Sequence, residues 1–144
     1  MPTDVDLRKL AEMTAPERAF LSVYLAGPHS VAELKNRFQK VRRVMKGGVA
    51  EDDEREQFEE NAKAVEEYLQ RNPLKSGSLC IFSSWILNFF EAVPLAAPVK
   101  DLVRIDSSPY IRPLAEFEEE YENAVVVVVD NKKARIFLVS MAVA

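Results

Sequence analysis

Histidine and cysteine, two side chains that can perform catalysis or bind a metal, are scarce in this sequence. Among 144 residues there is one histidine, His29, and one cysteine, Cys80. A single cysteine excludes an internal disulfide and a multi-cysteine zinc site, and a single histidine excludes any motif that needs two imidazoles. His29 follows Gly27-Pro28 in a predicted turn, where a surface or capping role is expected. Cys80 lies in an apolar run, where an inert core thiol is expected. We therefore predict no catalytic residue, no metal and no cofactor.

The strongest chemical pattern is a basic segment with helical spacing. Residues 31–46 hold six Lys or Arg against one Glu. At about 100° per residue, Lys35, Arg42 and Lys46 cluster on one flank of the predicted helix, and Arg43 lies just beyond them. Such a flank could neutralise RNA phosphates. Together with Tyr110, which could stack on a base or pack in the fold, these residues are the RNA-binding candidates.

An acidic segment that follows offers a competing interpretation of the same charges. Residues 51–67 hold nine Asp or Glu against two basic residues, and the whole chain has a net charge of −4. Two neighbouring helices of opposite charge could pair their side chains, at little gain in stability for each exposed pair. The net charge excludes a globally basic nucleic-acid binder but leaves a local basic face open.

These charged residues belong to a predicted helical hairpin. Apolar residues recur with helical spacing on both sides of Gly47-Gly48, which ends the first helix. A capping box is predicted at Ser30, with Glu three positions later. We predict an antiparallel hairpin that consists of Val31–Lys46 and about Asp52–Arg71.

Apolar and aromatic runs on both sides of the hairpin predict strands. The predicted strands are Phe20–Leu25, Ser78–Ser83, Ile86–Val93, Leu102–Ile105 and the two arms of a β-hairpin over Val125–Val139. Short helices are predicted over residues 4–13 and Leu114–Tyr121. This order has no β-α-β repeat. The predicted fold class is α+β, with a mostly antiparallel sheet packed by the long antiparallel helical hairpin.

Four stretches of the sequence carry a family resemblance. They are PERAFLSVYLAGPHS, the hairpin Val31–Arg71 leading into PLKSGSLCIFSS, FFEAVPLAAPV followed by IDSSPYIRPL, and VVVVVDNKKARIFLV. In this order they resemble the N-terminal domain of the archaeal and eukaryotic peptide chain release factor family, in particular its divergent bacterial branch. The resemblance implies an N-terminal domain over residues 1–122 and the start of a truncated second domain, a β-hairpin, over residues 123–144.

The resemblance also implies which family motifs to look for. The family's catalytic Gly-Gly-Gln loop belongs to the second domain and is absent here, while Gly47-Gly48-Val49 lacks the glutamine. The Asn-Ile-Lys-Ser decoding element is replaced by MKGGVAED, and Tyr-x-Cys-x-x-x-Phe finds no match near Val103. The resemblance therefore implies a non-enzymatic, translation-associated module that docks on the ribosome or RNA in termination, rescue or dormancy.

A second class of function stays open, because the fold could serve protein interaction or oligomerisation without any RNA role. Five consecutive valines, Val125–Val129, place apolar side chains on both faces of one predicted strand. That hairpin must fold back onto the sheet or dock against another copy. We favour the second, a homodimer through Val125–Val139. The longest uncharged stretch, Ser76–Phe90, is too short and polar for a membrane span, so a cytoplasmic location is expected.

Overall fold

The computed structural model describes residues 7–48, 52–95 and 98–116. In chain order the elements are α1 (Leu7–Glu12), β1 (Phe20–Leu25), α2 (Pro28–Gly47), α3 (Asp52–Arg71), β2 (Ser78–Ser84), β3 (Phe89–Leu95) and β4 (Leu102–Asp106). A helical turn follows over residues 112–116. The predicted α+β class is confirmed.

The four strands form one antiparallel sheet in the order β3-β2-β1-β4. The central strand β1 places Val23 opposite Ile81 of β2 and opposite Val103 of β4. All six residues of β1 are buried. Because side chains alternate between the two sides of a strand, a fully buried strand needs cover on both faces of its sheet.

The hairpin of α2 and α3 covers one face of the sheet, as predicted from the spacing of its apolar residues. The core on this face contains Leu21, Val23, Leu25, Leu34, Phe38, Met45, Phe58, Ala62, Val65, Leu69, Leu79 and Ile81. The rings of Phe38 and Phe58 meet edge to face, with their centroids 5.6 Å apart, and so join the two helices.

The start of α2 differs from the sequence prediction. The helix begins at Pro28, and Gly27 is its N-cap without any side-chain capping hydrogen bond. Proline fits the first helical turn, since its missing N–H would have no partner within the helix there. The predicted capping box at Ser30 is therefore wrong, and Ser30 lies inside the helix.

α1 and the segment after β4 cover the other face of the sheet. Leu10, Phe20, Tyr24, Phe82 and Leu114 belong to the core on this side. The predicted helix over residues 4–13 is described only from Leu7 to Glu12. The predictions over Val125–Val139, the domain boundary at 122/123 and most of the predicted helix Leu114–Tyr121 lie outside the described residues.

The connection between β2 and β3 also departs from the prediction. The predicted strand over Ile86–Val93 starts too early, because residues 85–88 form the turn and β3 begins at Phe89. The N–H of Asn88 donates to the carbonyl oxygen of Trp85 at 3.0 Å, and Asn88 has a φ of 51°. Asparagine tolerates this left-handed conformation better than most residues.

Candidate nucleic-acid interface

The outer surface of α2 is basic because the helix turns its apolar stripe toward the sheet. Leu34, Phe38 and Met45 are buried, and three of the five charged residues between them are exposed. The candidates Lys35, Arg43 and Lys46 are exposed, and so is Lys40.

Arg42 is half-buried and paired within the hairpin. Its Nε lies 2.9 Å from both carboxylate oxygens of Glu59, and its Nη2 lies 2.8 Å from Oε1. Its guanidinium also lies 5.7 Å from the centroid of the Phe58 ring. Hydrogen bonding to Glu59 raises the pKa of Arg42, against the opposing effect of partial burial. Arg42 therefore fits the competing interpretation of the basic residues, in which the two helices pair their charged side chains.

This pairing indicates how the basic surface is oriented. Arg42 faces α3, and Lys35 and Lys46 lie on the same flank of α2 by helical spacing. Arg43 lies 100° further round and points away from α3. Arg37 and Lys40 lie on the flank away from Arg42, and sequence reasoning did not single them out. The helical spacing that places Lys35, Arg42 and Lys46 on one flank also places Arg37 and Lys40 on the other, so the sequence could have revealed both flanks.

Asp101, in the loop before β4, binds the backbone just ahead of α2. The N–H of Ala26 donates to Oδ1 of Asp101 at 2.7 Å. Burial alone would raise the pKa of Asp101, but the hydrogen bond from Ala26, together with the charges of Arg37 and His29, lowers it below its usual value. His29, predicted to lie in a turn, is exposed in the first turn of α2. Sequence reasoning missed Asp101, because nothing local connects it to a helix more than fifty residues earlier.

Tyr110 lies on the opposite face of the sheet from α2. Its N–H donates to Oγ of Ser22 at 2.9 Å, and its carbonyl oxygen accepts the hydroxyl of Tyr24. Burial of Tyr24 raises the pKa of that hydroxyl, which stays a donor. The guanidinium of Arg104 lies over the Tyr110 ring, 4.4 Å from its centroid. The structure therefore does not bring Tyr110 together with the basic candidates.

Cys80 lies in β2 and is fully buried on the face that Tyr24 occupies. Burial, with a smaller effect of Glu91, raises the pKa of the thiol, so it stays protonated at neutral pH. Within the described ranges, no three His, Cys, Asp or Glu side chains are arranged to hold a metal ion. None of the helices in those ranges is long and apolar enough to span a membrane.

Comparisons with known proteins give a likeness of fold. No protein family model matches the chain, and no curated protein matches it by sequence. A solved structure described as an archaeal protein aligns with a TM-score of 0.62 and 18% identity, over 80% of this chain and 34% of that chain. The crystal structure of the archaeal translation termination factor aRF1 aligns with a TM-score of 0.60 and 19% identity, over 77% of this chain and 32% of aRF1.

The present chain therefore spans about a third of the length of these two proteins. The predicted resemblance to the release factor family is confirmed at the level of a distant structural relationship. With identities below 20%, the likeness concerns the fold.

Proposed function

We propose that this chain is a translation-associated domain that docks on ribosomal RNA through the outer surface of α2. The observation that carries the proposal is a row of exposed basic side chains on a helix whose opposite side is fixed to the sheet. The likeness to aRF1 supports the translation context. The proposed role is binding in termination, rescue or dormancy, in the cytoplasm.

The charge distribution favours a single orientation on RNA. α3 holds eight Asp or Glu against three basic residues, whereas α2 holds six basic residues against one Glu. A polyanion is repelled by the α3 side and attracted by the α2 side, so the domain presents α2 first. Glu59 neutralises only Arg42 in this arrangement. The proposed contacts are therefore the exposed Lys35, Lys40, Arg43 and Lys46.

In this proposal the domain binds RNA and does not itself catalyse hydrolysis. The glutamine loop that performs hydrolysis in the resembled family is not among these 144 residues. Cys80 is buried, and His29 stands alone in an exposed turn of helix. No nucleophile, base and orienting group come together among the described residues. Tyr110 is not a proposed RNA contact, because its ring packs between Tyr24 and Arg104 on the other face.

The expected salt dependence follows from the number of contacts. If four basic side chains each neutralise one phosphate, the slope of log K against log salt is about −2.8 to −3.6. Raising the salt from 50 to 200 mM then weakens binding about 50- to 150-fold. For a variant that keeps two of the four contacts, the same rise in salt should weaken binding only about 10-fold.

Sedimentation with purified ribosomes at several salt concentrations tests the proposal. The double variant Lys40→Glu/Arg43→Glu should bind at least tenfold more weakly and show a smaller salt slope. The matched control is Arg71→Glu/Lys75→Glu, which changes the charge equally at two exposed residues near the end of α3. Equal losses in both variants, or no salt-dependent binding by the native chain, would rule out docking through α2.

A further inference from the structure

The turn between β2 and β3 and the start of β3 together expose four large apolar side chains. Trp85 and Ile86 are each 49% exposed, and Leu87 and Phe90 are each 38% exposed. We call these four residues the apolar turn. A concentration of large apolar side chains at one end of a sheet is characteristic of an interaction surface, whereas single exposed apolar residues are ordinary.

The apolar turn is held in one conformation by buried groups. Oδ1 of Asn61 in α3 accepts the N–H of Trp85 at 2.8 Å and the hydroxyl of Ser83 at 3.0 Å. The ring of Phe90 packs on Tyr68, with the centroids 5.4 Å apart. A turn that is already ordered loses little conformational entropy when a partner binds, and tryptophan is among the residues that contribute most to protein interfaces.

The surroundings of the apolar turn are acidic. The segment from β2 through β3, residues 78–95, carries no basic side chain. In α3, which contacts the turn through Asn61, helical spacing places Glu60 and Glu67 on the side away from Arg42. Such surroundings repel nucleic acid and favour a cationic partner. A second copy of the same surface would bring these acidic groups together, which disfavours self-association here.

We propose that the apolar turn is a docking site for a cationic protein segment that carries apolar side chains. The apolar side chains of the partner would pack on Trp85 and Ile86, and its basic groups would face Glu60 and Glu67 of α3. The site lies beside α3, away from the basic outer surface of α2. It does not depend on the proposed RNA contacts, so the domain can bind RNA and a basic protein at the same time.

The sequence provides a reporter at this site, because Trp85 is the only tryptophan. The probe is a short amphipathic peptide of lysine and leucine, and the control peptide replaces each lysine by glutamate. Titration with the lysine peptide should shift the emission of Trp85 to shorter wavelength and saturate. The glutamate peptide should cause no shift. The emission of the protein alone should not change on dilution.

Variants that keep Trp85 localise the binding. Ile86→Ser/Leu87→Ser should lower the affinity for the lysine peptide at least tenfold, and Leu87→Gln alone should lower it in the same direction. Val44→Ser removes an apolar side chain that is 73% exposed on α2 and should leave the affinity unchanged. Lys40→Glu/Arg43→Glu should not weaken it either, which separates this site from the proposed RNA contacts.

Four results would overturn the proposal. One is an equal response to both peptides, and another is unchanged affinity in both turn variants. The third is a saturating shift of Trp85 emission with a single-stranded RNA oligonucleotide, which would make the turn a stacking site for bases. A shift that depends on protein concentration without peptide would instead assign the surface to a second copy.

Discussion

Asn61 is a buried polar residue that joins three separate elements, and its removal should strongly destabilise the fold. Its Nδ2 donates to the carbonyl oxygen of Ala19 at 3.2 Å, ahead of β1. Its Oδ1 accepts hydrogen bonds from the end of β2 at Ser83 and from Trp85 in the apolar turn. The side chain thereby fixes α3 to the sheet at the start of β1 and at the end of β2.

The cost of Asn61→Ala follows from the groups that it leaves behind. Three groups lose their partner: a carbonyl oxygen, a hydroxyl and a backbone N–H. Each buried polar group without a partner costs about 1–3 kcal/mol, and the serine hydroxyl can recover part of this by rotation. We expect a loss of about 3–5 kcal/mol in the free energy of unfolding. For a domain near 150 residues this lowers Tm by about 10–15 °C.

Urea denaturation followed by circular dichroism measures this free energy, and Trp85 emission reports on the turn in the same samples. Ser83→Ala removes one of the three hydrogen bonds and should cost about 1 kcal/mol. The control is Asn72→Ala, because the exposed side chain of Asn72 donates one hydrogen bond, 3.1 Å long, to the carbonyl oxygen of Tyr68, which keeps its bond from the Asn72 N–H. A loss below about 1 kcal/mol for Asn61→Ala, or one no larger than for Asn72→Ala, would refute the reasoning.

Three further predictions concern other residues. Asp101→Asn should destabilise the protein at neutral pH. Because the pKa of Asp101 is lowered in the folded state, the native chain loses the stabilising contribution of this carboxylate as the pH falls through that pKa. The unfolding free energies of the native chain and of the variant should therefore converge in acid. Cys80 should resist thiol reagents until the chain unfolds, and labelling at the rate of a free thiol in native buffer would contradict its burial. Val126→Asp/Val128→Asp should yield a monomer if Val125–Val139 forms the predicted homodimer, and sedimentation that shows the unchanged chain as a monomer at high concentration would exclude that dimer.

The helical hairpin could be predicted because its determinants are local. Both helices repeat apolar residues at three- and four-residue steps, and Gly47-Gly48 lies close to the point where the first helix ends. The capping prediction failed because Pro28 could already begin the helix, so the helix started before the proposed cap. Asn61 carried a usable signal, since it is a polar residue beside the apolar stripe of α3.

The extent of the turn at Trp85, over residues 85–88, could not be predicted by the same reasoning. Trp85, Ile86 and Leu87 are apolar in the manner of a buried strand, yet the structure exposes them. Sequence patterns assume that large apolar side chains are buried, so they fail where such side chains form a surface. Asn88, whose positive φ ends the turn, was the available indication of its true position.

The positions of the RNA-binding candidates relative to one another depend on contacts between elements that are distant in sequence. The pairing of Arg42 with Glu59 depends on how the two helices align, which the composition of either helix does not specify. The separation of Tyr110 from α2 depends on which face of the sheet receives the segment after β4. Helical spacing grouped side chains within α2, but only the topology could place Tyr110 on the other face.

The position of β1 at the centre of the sheet has a consequence for synthesis of the chain. β1 is entirely apolar apart from Ser22, and both of its neighbours, β2 and β4, come later in the sequence. At about 5–20 residues per second, the roughly 60 residues between the ends of β1 and β2 take about 3–12 s to synthesise. During that interval the two helices can pair locally, but β1 has no strand partner. We expect a nascent chain that ends before β2 to bind chaperones, and a chain that includes β2 to be released from them.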